Sequence, residues 1–383
     1  MDFNLSDEQR MLQENARRYM DKRYTFSERK TIVEKGGFAP EVWQDFADMG
    51  WLAAGIPEAF GGVGFSTVET AILAEEMGRG LLLEPYLHGC LLPAAVLRYC
   101  ADEAHQAELL PAIASGEALI TVAHSEPESR GNVAWVTTRA ERRDGGGYVL
   151  TGRKSVVVCA QQSDWLLVVA RSDGEAGDLE GLSLFLVKPD TPGLSLEAER
   201  LLDGTPAADL VLDHVVLPAA ALVGVEGGAY AGLQHAVDEL IVHQCAEIVG
   251  GLEDVLALCA DYLKTRKQFG VAIGSFQALQ HRMADMAIET LQARASLHRG
   301  LAILAGSADE RSEQVSGCKA QVLRSAKFVT AQGIQLHGGY GITEEFKVGH
   351  HYRRLVLSSA WWGGLEYHLA RYARSIQAAC AAV

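Results

Sequence analysis

The sequence predicts an α+β protein in three blocks: an N-terminal α-helical domain at 1–118, a central β-barrel or β-sandwich domain at 119–228, and a C-terminal four-helix bundle at 229–383. Three observations predict it. Apolar residues recur at helical spacing through the first third. Short β-rich runs broken by turns fill the middle. From about residue 229 the helical period returns and persists to the end.

In the first block, Ser6 and Gln9 form a capping-box signature, and Leu12, Ala16, Tyr19 and Met20 follow at helical spacing. Residues 38–53 and 66–81 read as amphipathic helices on either side of the Gly/Pro-rich turn GIPEAFGGVGF, and 103–115 as a last helix. The central runs are ALITVAHS, GGGYVLTG, KSVVVCA, DWLLVVARS, LSLFLVK and DHVVLP. Asp144-Gly145, Ser172-Asp173-Gly174 and Asp190-Thr191-Pro192-Gly193 separate them as turns. That many short strands in so short a stretch predict a closed or two-layered β-domain. In the last block, Leu233, Val237, Leu240, Ile241, Ile248, Val249, Leu252, Leu256 and Leu263 keep wide apolar faces through residue 265. A helix of that length and character packs in a bundle or at a subunit contact. Further helices are predicted at 275–304, 310–336 and 345–380.

The chain has 383 residues, 48% of them hydrophobic and 22% charged, which is ordinary for a globular protein with a large core. Its formal net charge is −15, so its surface repels nucleic acid and anionic membranes, and neither is expected as a partner. Seven cysteines lie scattered without metal-ligand spacing, which predicts buried free thiols, no metal site and a reducing, cytoplasmic setting. The N-terminus is polar and acidic, unlike a signal peptide, and no apolar run is long enough to span a membrane. GVGF and GGYG do not open a helix after a strand, so a nicotinamide-binding Rossmann unit is not predicted.

Two segments carry a family likeness. One is Tyr262-Leu263-Lys264-Thr265-Arg266-Lys267-Gln268-Phe269-Gly270 with Ile273-Gly274-Ser275-Phe276-Gln277-Ala278-Leu279-Gln280 and Ala284-Asp285-Met286; the other is Gln335-Leu336-His337-Gly338-Gly339-Tyr340-Gly341. Both resemble signature stretches of acyl-CoA dehydrogenases. DEQRMLQENAR, GIPEAFGGVG and Ser125-Glu126-Pro127 match at fitting separations, so the resemblance covers nearly the whole chain. Within the family, CAEIVGG, the stretch from Tyr262 to Met286 and HLARYAR are most similar to the small subunit of pimeloyl-CoA dehydrogenases.

The resemblance implies FAD, an acyl-CoA substrate, an electron-transfer flavoprotein as acceptor, and an oligomer: a homo- or hetero-dimer or tetramer, possibly α2β2. It implies that Arg266, with its forked guanidinium, meets the FAD pyrophosphate of a neighbouring subunit. Gln268, Phe269, Gln277 and Gln335 join it, and Gly338 and Gly339 permit close backbone approach. Ser125 stands where the family commonly has Thr, beside the flavin edge. Segment 155–158 matches the family's flavin-shielding Trp-Ile-Thr stretch, with Val156 in place of Trp and Val158 in place of Thr, so only backbone donors survive there.

Family chemistry removes the proton α to a thioester with a carboxylate and passes the β hydride to flavin. Counting from Arg353-Arg354 puts Trp362 where many members carry that Glu, followed by Gly363 and Gly364; counting back from Phe269-Gly270 puts Leu240 at the other family position. Glu239, beside Leu240, and Glu366, one turn beyond Trp362, are the remaining candidates. Two expectations follow: a working dehydrogenase with a relocated base, or a base-less FAD- or CoA-binding subunit completed by another chain. An oxidase- or hydroxylase-like flavoprotein is a third, less favoured. Trp361 and Trp362 would narrow the acyl channel, and the acyl group itself is not specified.

Overall fold

The structure, a computed structural model, describes residues 4–381. In chain order the helices are α1 (Asp7–Lys22), α2 (Phe26–Glu34), α3 (Pro40–Asp48), α4 (Thr67–Gly80), α5 (Leu92–Cys100) and α6 (Glu103–Ala114). The strands β1 (Ile120–Ala123), β2 (Arg139–Arg142), β3 (Tyr148–Val158), β4 (Trp165–Arg171), β5 (Leu182–Val187), β6 (Leu194–Arg200), β7 (Pro206–Leu217) and β8 (Leu222–Val223) follow. Then come α7 (Tyr230–Thr265), the short hairpin β9 (Lys267–Gln268) and β10 (Val271–Ala272), α8 (Gln277–Ile303), α9 (Ala308–His337), α10 (Lys347–Ser358) and α11 (Leu365–Ala381). The order of helices, strands and helices is the α+β architecture expected. No helix among the described residues is long and apolar enough to cross a membrane.

The chain divides into two compact units. One, residues 32–70 and 83–240, is built on a single sheet whose strand path runs β6-β7-β3-β2-β4-β5-β8, with β1 parallel to β4. β4 is apolar and buried along nearly its whole length, as a strand covered on both faces must be. Leu150, Val157, Leu166, Val168, Phe185, Leu210 and Leu212 form its core. GGGYVLTG and KSVVVCA are one strand, not two: Gly152 lets β3 run past Thr138, whose hydroxyl would lie 2.6 Å from a Cβ there. β2 and β6 escape the sequence reading because both are rich in exposed charge.

The other unit, residues up to 31, 71–82 and 241 onward, is helical. α9 packs against α8, α10 and α11. α4 and α7 cross at reciprocal glycines: a Cβ on Gly78 would lie 1.9 Å from the Glu247 carbonyl oxygen, and one on Gly250 would lie 1.9 Å from that of Glu75. Along α7 the apolar positions predicted as core are buried except Leu256, which is half-buried. The helix predicted over 345–380 is broken instead, because Trp362 (φ 56°) and Gly363 (φ 96°) both take left-handed backbone. Only glycine fits at 363, where a Cβ would meet the Tyr367 ring at 2.3 Å. Cys90, Cys159, Cys245, Cys259 and Cys318 are buried free thiols and Cys100 is half-buried; the side chain of Cys380 lies outside the described residues.

The crossing yields a first prediction. Gly250→Ala forces backbone apart in a packed core and lowers the unfolding midpoint by about 5 °C or more. Gly339→Ala, whose Cβ would meet nothing within 4 Å, leaves it unchanged. Calorimetric melting of the two variants checks this.

Candidate cofactor and substrate site

Seven of the predicted cofactor residues lie in the helical unit. Phe269 (φ 53°) and Gly270 (φ 82°) are both left-handed and join β9 to β10, as a two-residue hairpin turn of the mirror-image type requires. Phe269 is 91% exposed, with the Phe276 ring edge-on to it at a centroid distance of 6.1 Å. The Arg266 backbone is clamped: its N–H donates to the Tyr262 carbonyl (2.8 Å) and its carbonyl accepts from Ile273 N–H (2.9 Å), while the side chain stays exposed. Gln268 is exposed and donates to the Lys267 carbonyl (2.9 Å); Gln277 is exposed at the first turn of α8.

At the end of α9, Gln335, Gly338 and Gly339 are exposed, and a Cβ on either glycine would meet nothing within 4 Å. An aromatic stack ties this corner to the hairpin. Tyr262, one turn before Arg266, lies 4.4 Å from the His337 ring and 6.2 Å from Tyr340, and Phe346 lies 4.6 Å from each of those two. The structure therefore brings Arg266, Phe269 and the bare Gly338-Gly339 backbone to one end of the unit. A guanidinium, an exposed ring and open backbone suit a ligand with phosphates and a planar ring system.

In the sheet unit, Ser125 is half-buried and its carbonyl accepts from Ser155 N–H (2.8 Å). Val158 is buried and its carbonyl accepts from the Thr121 hydroxyl (3.0 Å). Between them lies an ion pair that the sequence reading missed. Glu126 and Lys154 are buried and 2.7 Å apart. Thr137 N–H (2.6 Å) and Thr138 N–H (3.0 Å), with the hydroxyls of both threonines, also donate to the Glu126 carboxylate. Burial pushes that carboxyl up, and Lys154 with the threonines outweighs it, leaving it at about 2. Burial likewise lowers Lys154 to about 8, against the pull of Glu126. The only sign in the sequence is one lysine at the head of the apolar run SVVVCA.

The two candidate bases part company. Glu239 is buried, and both carboxylate oxygens are engaged: Arg98 donates to one at 2.7 Å and the Tyr99 hydroxyl to the other at 3.0 Å. Glu366 is exposed in the first turn of α11. The loop carrying Trp362 is held from below by Lys319, a fully buried ammonium that donates to the carbonyls of Ser358 (3.1 Å) and Trp361 (3.4 Å) and to the Gln244 amide oxygen. His368 lies 3.0 Å from the Trp362 carbonyl and 3.2 Å from the Ser316 hydroxyl. Among the described residues no cluster of His, Cys, Asp and Glu could hold a metal. A cleft of about 560 Å³ in the sheet unit, lined by Glu108, Glu117, Asp164, Trp165, Lys188 and Asp190 among others, includes none of the predicted site residues.

Comparison with known proteins decides the family. The profiles of the acyl-CoA dehydrogenase N-terminal, middle and C-terminal domains match residues 6–117, 121–215 and 234–377. The chain belongs to the acyl-CoA dehydrogenase family. It is 30% identical to acryloyl-CoA reductase (NADH) of Anaerotignum propionicum, over 98% of this chain and 96% of that protein. Its fold is similar to a steroid ACAD variant, Tcur3481-Tcur3483 (TM-score 0.87, 29% identity, 98% of this chain and 99% of that one). It is similar also to a glutaryl-CoA dehydrogenase from Mycobacterium smegmatis in complex with FADH2 (TM-score 0.88, 25% identity, 98% and 95%).

Buried histidines give this family member a predictable acid sensitivity. Burial lowers His124 and His351 to about 4 and His368 to about 3. In the unfolded chain each titrates near 6.5, so below that pH the unfolded state binds more protons and stability falls as pH drops toward 4. Each histidine contributes a slope of up to about 1.4 kcal/mol per pH unit in that window. Glu75, raised by burial, works the other way, but singly. A melting temperature flat from pH 7 to pH 5 would contradict the buried, neutral state of these rings.

Proposed function

We propose that this chain is an FAD-dependent acyl-CoA dehydrogenase subunit acting on an acyl-CoA thioester to give the 2,3-enoyl-CoA. The observation that carries the reading is the shared location of Arg266, Phe269 and the Gly338-Gly339 backbone at one end of the helical unit. FAD, when bound, supplies the acceptor for the β hydride. Arg266 pairs with its pyrophosphate, Phe269 packs on a planar ring, Gln268, Gln277 and Gln335 offer amides, and Gly338 and Gly339 let the backbone come close. Ser125 offers a hydroxyl and an N–H to the flavin edge, and Val158 its backbone. The exposure of the Arg266 and Phe269 side chains suits a cofactor held across a protomer boundary, and so an oligomer, dimeric or tetrameric. Electron-transfer flavoprotein is the acceptor by family likeness, and the setting is the cytoplasm.

One observation favours a division of labour. Trp362 stands at the counted position of the family base, Glu366 is exposed, and Glu239 accepts from Arg98 and Tyr99. For Glu239 to take the α proton, it must give up Arg98. A second chain that brings the carboxylate, as in an α2β2 assembly like that of the pimeloyl-CoA dehydrogenase small subunit and its partner, removes that difficulty. The relatives' names span acryloyl, glutaryl and steroid substrates, so the acyl group is set by the pocket of the assembled enzyme.

Two measurements test this. Arg266→Ala weakens FAD binding by about tenfold or more, read as loss of flavin absorbance after gel filtration; unchanged flavin content removes the assignment. Titrated anaerobically with acyl-CoAs, the chain alone keeps its flavin colour, and co-expression with the product of the neighbouring gene gives bleaching. Bleaching by the chain alone, abolished in Glu239→Gln with flavin retained, assigns the base to Glu239 instead.

A further inference from the structure

β3 does something an ordinary strand does not. Its pairing with β7 slips between Lys154 and Val157, so Ser155 and Val156 form a bulge. Val156 sits at φ 54°, a region that β-branched side chains avoid, and the bulge re-phases the strand so that Lys154 and Val157 both point inward. Packing does not account for the strain, because Val156 is 38% exposed.

The bulge is locked from two sides. Inside, Lys154 is anchored on Glu126 at 2.7 Å and on the His124 carbonyl at 3.3 Å, which fixes β3 to the segment carrying Ser125. Ser155 N–H donates to the Ser125 carbonyl across the same gap (2.8 Å). Outside, Asp209 on β7 accepts from Val156 N–H (2.9 Å) with one oxygen and from Arg153 (2.9 Å) with the other. A buried ion pair is a poor device for stability alone, since an apolar pair of similar volume does as well or better. Strain maintained on an exposed edge by such a pair marks a surface shaped for a ligand.

We propose that Glu126, Lys154 and Asp209 are positioning residues that hold the Ser155–Val156 bulge and Ser125 as one rigid edge against which the ring system of the flavin docks. The inference rests on the FAD reading above and adds how the sheet unit presents itself to the cofactor. Along 155–158 the edge offers backbone groups rather than side chains, which explains how valines replace the larger and more polar residues of the family stretch. The lock then matters more here than where an aromatic side chain does the work.

Val156→Gly tests the inference, because it separates strain from function. Glycine accepts the left-handed backbone without steric strain, and that relief outweighs its extra freedom in the unfolded chain, so the unfolding midpoint rises by about 3 °C. The freed edge binds FAD about tenfold more weakly and shifts the visible flavin spectrum. A purely structural bulge moves only the first of these. Asp209→Ala weakens FAD by about tenfold, while Asp209→Asn, which keeps an oxygen for Val156 N–H, stays within about twofold of wild type. FAD affinity is read by fluorescence titration of the apoprotein, with its partner chain if that is needed for binding. Equal affinity and spectrum in wild type and Val156→Gly overturn this inference alone. A wild-type protein that binds no FAD in either form overturns the functional reading, and this inference with it.

Discussion

The helical unit depends on the crossing of α4 and α7, where Gly78 and Gly250 bring backbone against backbone. So close an approach brings four carboxylates out of water: Glu75 and Glu76 on one helix, Glu247 and Asp254 on the other. Each must be compensated, because an isolated buried charge costs several kcal/mol. The cations come from different elements. Arg294 of α8 reaches Glu75 at 2.7 Å, Arg17 of α1 reaches Glu76 at 2.6 Å, and Arg354 of α10 reaches Glu247 at 2.6 Å. His351 and Lys347 of α10 both reach Asp254 at 2.8 Å. Burial raises the Asp254 carboxyl, and those two partners together bring it well below its usual range. The ion pairs therefore act as register marks: a slipped α1, α8 or α10 takes a cation from a buried carboxylate. Fixing α7 in this way also fixes its far end, where Tyr262 and Arg266 sit.

Much of this was legible in the sequence, and what was not has a physical pattern. Elements whose stability is local or whose face is uniformly apolar were readable: the capping box of α1, the long apolar faces of α7, the buried strand β4. Phe269-Gly270 and Gly338-Gly339 were readable because glycine at a turn is a backbone demand written in the residue itself. α2 is capped by the Thr25 hydroxyl, which accepts from Glu28 N–H (3.2 Å), a signal the sequence reading passed over. α5 has no side-chain cap and β6 is a mostly exposed edge, so their formation comes from tertiary packing that a short window does not contain. The break at Trp362 was marked only by Gly363-Gly364, because a left-handed tryptophan is imposed by its surroundings rather than preferred. Lys154 and Lys319 look like any lysine on paper; only the fold shows that both are fully buried, one on a carboxylate and the other on helix-end carbonyls. Glu239 could be named as a candidate from its place on α7, but its engagement by Arg98 and Tyr99 spans about 140 residues and could not.

The same pairings bear on how the chemistry is divided. A proton α to a thioester is weakly acidic, so its acceptor needs a carboxylate with a free lone pair in an apolar pocket and no cation to satisfy it. Here most of the buried carboxylates are paired with cations, while Glu84, Asp203 and Asp238 accept from backbone or amide N–H groups. Glu126 accepts from a lysine and two threonines, Asp254 from a histidine and a lysine, Glu247 from an arginine, and Glu239 from an arginine and a tyrosine. Glu75 is raised by burial, yet it too is tied to Arg294. Each of these groups binds a cation, and freeing any of them takes a partner from that cation. Around Trp362 the buried groups are an ammonium and a neutral imidazole, and the loop's carbonyls are what they bind. The two-chain reading proposed above follows from this pattern: Glu239 and the other cation-bound carboxylates would each have to give up a partner before taking a proton.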